Sequence, residues 1–168
     1  LSEKVFLVEG ATEFLLLPKF YKDIKGNTLE ADSIVIISCN GISYNRYLEI
    51  AKETKKKIAV ITDNDGDSNK IENAHAFNQK HINQRIFMGS TIEEWTWEAC
   101  IFNVNEQALT KLIDAKSGNK YLFHKCNYGP TLGKMLNNKV DTAYKMLTSN
   151  DNFNIPEYIK EAIKWLSE

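Results

Sequence analysis

The first 90 residues alternate between short apolar runs and longer segments whose apolar residues recur at helical spacing. The apolar runs have the length of buried strands and cover 4–10, 32–38, 57–63 and 84–89. The segments with the helical period lie between them, at 11–24, 40–57 and 70–81. This alternation predicts an α/β fold with a four-stranded parallel sheet, βαβαβαβ, and helices on both of its faces.

After residue 89 the strand pattern stops and helical patterns follow. They cover 90–102, 105–118, 137–150 and 155–168. We therefore expect a single domain over 1–168, with a core at 1–100 and a helical elaboration at 101–168. Within the first helix, Pro18 is expected to kink or interrupt the helix, because it lacks a backbone N–H.

Composition and charge narrow the class of protein only slightly. The chain has 168 residues, of which 43% are hydrophobic and 26% charged, which suits one folded domain. Its net charge of −1 neither indicates nor excludes a nucleic-acid partner, because a local basic face can bind phosphate. No apolar run is long enough to span a membrane, so we expect no membrane segment. The chain has three cysteines, an odd number that does not suggest a disulfide framework, so we expect a cytoplasmic protein.

Acidic residues follow the predicted buried strands. Glu9 ends the first strand, Asp63 and Asp65 end the third, and Glu93 and Glu94 come just after the fourth. The carboxyl ends of parallel strands meet at one edge of a sheet, so these side chains should converge. Like charges held together need a cation, and hard carboxylate oxygens suit Mg²⁺ or Mn²⁺.

Local spacing supports the same convergence. Asp63 and Asp65 are two residues apart, and side chains at this spacing on an extended chain point the same way. Glu13 lies one helical turn after Glu9, so both can face one cleft. The sequence therefore predicts a cluster of carboxylates at one edge of the sheet.

The order of these motifs resembles the Toprim domain of topoisomerases, primases and related nucleases. The resemblance rests on "VFLVEG", which carries Glu9, and on "VITDNDGD", which carries Asp63 and Asp65. More narrowly, "VEGATEFLLLPKF" is similar to the overcoming-lysogenization-defect (OLD) family of ATP-dependent endonucleases, which shows V-E-G, a second Glu four residues on and an apolar segment with Pro. Here the second Glu is Glu13 and the proline is Pro18.

Two later segments resemble the same family. "STIEEW" (90–95) is similar to the segment in which an acidic residue joins the metal site, with Glu93 and Glu94 both open as candidates. "NKVDTAYKML" (138–147) is similar to a late helix with a functional lysine, which here is Lys139.

The resemblance implies a metal-dependent DNA endonuclease that hydrolyses phosphodiesters with two Mg²⁺ or Mn²⁺ ions. Glu9, Asp63 and Asp65 would form the core of the site, and Lys139 would assist catalysis. Glu13 with Glu93 or Glu94 would complete a second ion position. Such nucleases are fused to an N-terminal ABC-type ATPase, so the chain is expected to be the C-terminal part of a longer protein, with homo-oligomers possible through the missing part.

Two alternatives stay open at the level of sequence. "DNDGD" resembles the D-x-D-G motif of haloacid-dehalogenase-like phosphatases, in which the first Asp is a nucleophile, although there the motif follows the first strand and not the third. The chain could also be a non-catalytic Toprim module that binds DNA or a partner subunit.

Overall fold

A four-stranded parallel sheet forms the centre of the protein, as described by a computed structural model over residues 3–114, 121–123 and 126–168. The strands are β1 (Lys4–Val8), β2 (Ile34–Ser38), β3 (Lys57–Ile61) and β4 (Gln84–Phe87). Their order across the sheet is β2-β1-β3-β4, and each neighbouring pair is parallel. The predicted α/β fold with a βαβαβαβ core is confirmed.

The connecting helices cover both faces of this sheet. They are α1 (Ala11–Lys25), α2 (Tyr44–Ala51) and α3 (Ser68–Lys80). The side chains of α1 belong to one hydrophobic core, whereas those of α2 and α3 belong to a second core on the opposite face. This division follows from right-handed crossovers, because the chain moves one way from β1 to β2 and the other way from β2 to β3 and β4.

The part after the sheet adds helices to the face that α1 covers. Its elements are α4 (Trp97–Ile113), β5 (Tyr121–Phe123), β6 (Cys126–Tyr128), α5 (Pro130–Asn137), α6 (Lys139–Thr148) and α7 (Glu157–Ser167). Helix α6 packs on α1 and α4, and α7 packs against β3 and β4. The antiparallel β5–β6 pair contradicts the expectation that strands stop after residue 89. Each of these strands has three residues, which is too short to leave a periodic signal.

Helix α1 also differs from the expectation, because it runs through Pro18 without interruption. Pro18 and Phe14, whose carbonyl would have received the missing N–H, both lie on the exposed face of the helix. Water can therefore satisfy that carbonyl. In the described residues, no helix is both long and apolar enough to cross a membrane.

The strands at the centre of the sheet alternate strictly between the two cores. Phe6 and Val8 of β1 belong to the core of α1, and Val5 and Leu7 belong to that of α2 and α3. In β3, Ala59 and Ile61 likewise face α1, while Ile58 and Val60 face the other way. This alternation determines which face of the sheet each residue after the strands approaches.

Candidate metal centre

Two of the predicted acids, Glu9 and Asp63, lie where the strand order reverses. Strands β1 and β3 are neighbours, and Val8 is the partner of Ile61 in their register. From β1 the chain leaves to one side of the sheet, and from β3 it leaves to the other side. Such a switch point opens a crevice at the carboxyl ends of the strands, and Glu9 and Asp63 lie at this crevice.

Glu9 lies on the α2 side of this edge. Its Oε1 accepts a hydrogen bond from the hydroxyl of Thr62, the residue that follows β3. This pairing continues the register of Val8 with Ile61, which makes Glu9 and Thr62 partners on the same face. The carboxylate of Glu9 is exposed, so it is accessible to a ligand from solution.

Asp63 lies one residue further along the chain and therefore on the other face, beside α1 and α4. Its Oδ1 accepts the backbone N–H of Trp97 at 2.8 Å, and its Oδ2 accepts the hydroxyl of Thr96 at 2.6 Å. Both donors stand at the start of α4, where N–H groups have no partner within the helix. The helix start thus fixes both oxygens of Asp63.

Glu98 is an acid of this cluster that the sequence analysis missed. Its side chain is 3% exposed, and its Oε2 lies 3.0 Å from the Thr96 hydroxyl and 2.9 Å from Nζ of Lys139. The signal available in the sequence was a lone acid inside the apolar run "WEACIF". A buried carboxylate is costly unless it has partners, so such a position indicates a paired or ligating acid.

The Thr96 hydroxyl faces two carboxylates but has one proton to donate. It can hydrogen-bond Asp63 or Glu98 at any moment, and it then presents a lone pair to the other. Two acids held this close together favour either a shared proton or a cation between them.

Glu13 is the third carboxylate on this face. It lies in the first turn of α1 and is 7% exposed. Its pKa is raised to about 7, chiefly by burial and also by the charges of Asp63, Glu98 and Glu9, against a backbone hydrogen bond that lowers it. A Cβ at Gly10 would lie 3.3 Å from Oε2 of Glu13, so the glycine leaves room for this carboxylate.

The same effects act on Asp63. Its pKa is raised to about 6, chiefly by burial and also by the charges of Glu9 and Glu98, while the hydrogen bonds from Thr96 and Trp97 oppose the rise. Glu9, Glu13, Asp63 and Glu98 therefore act on one another electrostatically.

We expect the metal-free protein to lose stability as pH rises from about 4.5 to 7. The folded state holds protons on Glu13 and Asp63 that the unfolded chain has released in this range, so the free energy of unfolding falls with pH. Glu13→Gln removes one of these groups and should raise the free energy of unfolding by about 2 kcal/mol near pH 8, with little effect near pH 4. Urea unfolding in the presence of a chelator measures the pH dependence of the wild type and the gain in Glu13→Gln.

The matched control is Glu93→Gln, which replaces an exposed acid by the same amide. It should leave the stability unchanged at both pH values. A Glu13→Gln protein that is no more stable than the wild type near pH 8 would contradict the electrostatic account.

Lys139 supplies the positive charge of the cluster. It is the first residue of α6, and its ammonium is half-exposed beside Glu98. Burial by itself lowers the pKa of Lys139, but Glu98, Asp63 and Glu13 outweigh this and hold the pKa above its ordinary value. Lys139 therefore stays protonated among the acids.

Asp65 does not lie parallel to Asp63. Its φ of +54° places it in the left-handed region, and its backbone N–H donates to the carbonyl of Trp95 at 2.9 Å. The extended conformation that would align the two aspartates ends before Asp65, so the predicted common direction is wrong. The exposed carboxylate of Asp65 instead pairs with Lys70 of α3, on which the charge of Glu9 also acts.

Glu93 and Glu94 lie in the loop between β4 and α4. Oε2 of Glu94 accepts the backbone N–H of Ser90 at 2.7 Å and its hydroxyl at 3.0 Å, so this side chain closes the loop on itself. Glu93 is exposed. The acid from this region that touches the cluster is Glu98, which points inward because it lies on the buried face of α4.

Asn64, between the two aspartates, anchors the same loop. Its side chain is fully buried, and its amide donates to the carbonyls of Gly89, Thr91 and Glu94 at 2.9–3.1 Å. The loop is tight, because a Cβ at Gly89 would lie 2.2 Å from the carbonyl oxygen of Glu94. Asn64 thus joins β3 to the segment that leads into α4.

The side-chain atoms of this cluster that could ligate a metal suit a hard divalent cation. All are carboxylate or hydroxyl oxygens, the type of ligand that Mg²⁺ and Mn²⁺ prefer. In the described residues, no three His, Cys, Asp or Glu side chains are arranged closely enough to surround one ion. Their present partners are the hydroxyls of Thr62 and Thr96, the N–H of Trp97 and the ammonium of Lys139.

The strand order and the acids at the ends of β1 and β3 define the class: this is a Toprim fold. Residues 1–65 match the model of a family described as overcoming lysogenization defect protein-like, TOPRIM domain. No curated protein matches the chain significantly in sequence. The predicted resemblance to the OLD-like Toprim domain is confirmed.

Solved structures extend this likeness in fold to the whole chain. The C-terminal region of the Burkholderia pseudomallei OLD protein matches with a TM-score of 0.70 and 14% identity, over 99% of this chain and 97% of that one. The C-terminal region of the Xanthomonas campestris pv. campestris OLD protein matches with a TM-score of 0.65 and 15% identity, over 99% and 94%. The helices after the sheet are therefore part of this fold.

Proposed function

We propose that this chain is the nuclease domain of an OLD-type protein and hydrolyses phosphodiester bonds of DNA with Mg²⁺ or Mn²⁺. The observation that carries the proposal is the Thr96 hydroxyl shared by Asp63 and Glu98, with Lys139 bound to Glu98. A nuclease needs this combination, because acids must hold the cations while a positive side chain meets the phosphate.

The acids divide into two groups that could hold two ions. On binding, Asp63, Glu98 and Glu13 would move together to hold one on the α4 side of the sheet edge, and Glu9 with Asp65 would hold the other on the α3 side. When bound, such ions activate water and stabilise charge on the phosphate and the leaving oxygen. In this proposal Glu98 takes the place that the family resemblance assigned to Glu93 or Glu94.

Lys139 would act on the phosphate in this scheme. Its protonated Nζ would donate to a non-bridging or leaving oxygen as negative charge develops there. Glu98 would keep the ammonium oriented until the substrate arrives, because it accepts a hydrogen bond at 2.9 Å.

Replacing Lys139 with alanine should lower kcat for DNA cleavage by about 100-fold with little change in KM, because the lost interaction forms mainly in the transition state. Steady-state cleavage of a labelled duplex measures this. Lys145→Ala is the matched control, since Lys145 lies on the same helix in an exposed pair with Asp141. Equal rates for the Lys139→Ala protein and the wild type would remove Lys139 from the mechanism.

The proposed function itself is tested by nicking of supercoiled plasmid with Mn²⁺ or Mg²⁺, and with a chelator as control. The same preparation is offered a small phosphate monoester, the substrate expected of the phosphatase alternative. Against that alternative, Asp63 follows β3, the third strand along the chain, whereas the phosphatase motif follows the first strand. Metal-dependent nicking supports the nuclease, whereas ester hydrolysis alone contradicts it.

Binding of DNA without cleavage in any metal would favour the non-catalytic Toprim module. The acids argue against that outcome, because a pure binding surface for DNA gains nothing from carboxylates that repel phosphate.

We also propose that the whole of 1–168 is one domain. In the full protein this domain would follow an ATPase part through which copies assemble, and the protein would act in the cytoplasm.

A further inference from the structure

A pocket of about 340 Å³ opens beside Glu9, on the α2 side of the sheet edge. It is bounded by the end of β1 and by the loop from β2 to α2, and its walls are Cys39, Gly41, Ile42, Ser43 and Tyr44. Its volume is at the lower end of the range for small-molecule sites, which suits one unpaired nucleotide unit.

The loop that forms this pocket is fixed to the sheet. The N–H of Cys39 donates to the carbonyl of Val8 at 2.8 Å, and the N–H of Ile42 donates to that of Cys39 at 2.9 Å. Asn40 and Gly41 have φ values of 47° and 81°, so the chain reverses tightly and leaves the mouth of the pocket open. The pocket is therefore part of the fold.

The lining combines apolar surface with a nearby positive charge. Ile42 is 50% exposed, Tyr44 is half-buried, and the buried thiol of Cys39 forms part of the wall. Burial raises the pKa of Tyr44, Lys70 lowers it and Glu9 raises it, which places the Tyr44 hydroxyl within the field of both charges. The pocket itself therefore offers the aromatic ring of Tyr44 and the carboxylate of Glu9, while the Lys70 ammonium lies outside the lining, paired with Asp65.

We propose that this pocket binds the base and sugar of an unpaired DNA nucleotide next to the phosphate being cut, with the ring of Tyr44 against the base. Aromatic rings bind bases of any sequence, because every base has a flat face. The subsite rests on the proposed nuclease function and adds to it the element that positions the strand.

The test measures binding of a short fluorescein-labelled single-stranded DNA by anisotropy, in Ca²⁺, for the wild type, Tyr44→Ala, Tyr44→Phe and Tyr144→Ala. Tyr44→Ala should weaken binding by about tenfold, while Tyr44→Phe, which keeps the ring, should stay within about twofold. Tyr144 lies on α6 and is 63% exposed, so Tyr144→Ala is the matched control and should bind like the wild type. Thermal unfolding of each variant confirms that it is folded.

Equal affinity of the Tyr44→Ala protein and the wild type would overturn the subsite, and so would an equal loss in Tyr44→Ala and Tyr44→Phe, since the ring would then not be the contact. A wild type that binds no single-stranded DNA overturns it as well. The nuclease proposal fails separately: weaker binding by Tyr44→Ala in a protein that never nicks plasmid keeps the pocket as a nucleotide-binding site and removes the nuclease.

Discussion

Replacing Glu98 with glutamine should lower metal-dependent DNA cleavage by about 100-fold or more, whereas the same substitution at Glu93 should leave it within about threefold. The two residues are five positions apart, and the sequence pattern left Glu93 and Glu94 both open as candidates. The structure separates them, because Glu93 is exposed while Glu98 contacts the Thr96 hydroxyl that also bonds Asp63. An amide of the same shape has one oxygen fewer and no charge to offer a cation.

A loss of activity at Glu98 would mean little if the protein unfolded. The half-exposed ammonium of Lys139 can turn to solvent when its partner becomes neutral, so the Glu98→Gln fold should survive. Titration of Mn²⁺ gives a readout independent of cleavage, and affinity should fall in Glu98→Gln and stay unchanged in Glu93→Gln. Wild-type cleavage and Mn²⁺ affinity in Glu98→Gln would remove this residue from the site, and a large loss in Glu93→Gln would restore the expectation from sequence.

Changing Asn64 to aspartate should destabilise the protein by about 3–5 kcal/mol, although it merely adds a third acid between Asp63 and Asp65. The amide of Asn64 donates to three carbonyl oxygens and is fully buried. A carboxylate has no hydrogens to donate, so it would face those carbonyls with a buried charge. The urea midpoint of unfolding measures this loss.

This substitution distinguishes an anchoring role of position 64 from a role as a metal ligand. If position 64 contributed a ligand, the new carboxylate would bind cations more tightly and Mg²⁺ would restore the stability. We expect no such recovery, because the side chain points toward the loop at 89–94 and away from Asp63 and its partners. Asn150→Asp, at an exposed position, is the control and should change stability by less than about half a kcal/mol.

The apolar runs were sufficient to predict the sheet and its helices, because strands buried on both faces leave unbroken hydrophobic segments. They also showed that acids follow β1 and β3, which was enough to locate the edge of the sheet. They could not predict the direction of Asp65, since a hydrogen bond to the carbonyl of Trp95, a residue distant in sequence, holds it at a positive φ. Local spacing carries no information about such a contact.

Glu98 shows a different limit of sequence patterns. Read as one position in an apolar helix, it is an exception to the hydrophobic pattern and is easily assigned to the surface. Only the packing of α4 and α6 brings it to Lys139 and explains how a buried acid is tolerated. The sequence therefore predicted the region after the fourth strand that supplies an acid. Which residue of that region reaches the cluster depends on tertiary contacts.

The alternation of β1 and β3 between the two cores has a consequence for how this domain can evolve. Glu9 and Thr62 approach one face and Asp63 approaches the other, so one inserted or deleted residue in either strand would exchange these positions between faces. Conservative changes of side chain leave each of these positions on its own face of the sheet. Lineages of this domain should therefore accumulate length variation in surface loops, such as the segment between α1 and β2, and hold the lengths of the two central strands constant.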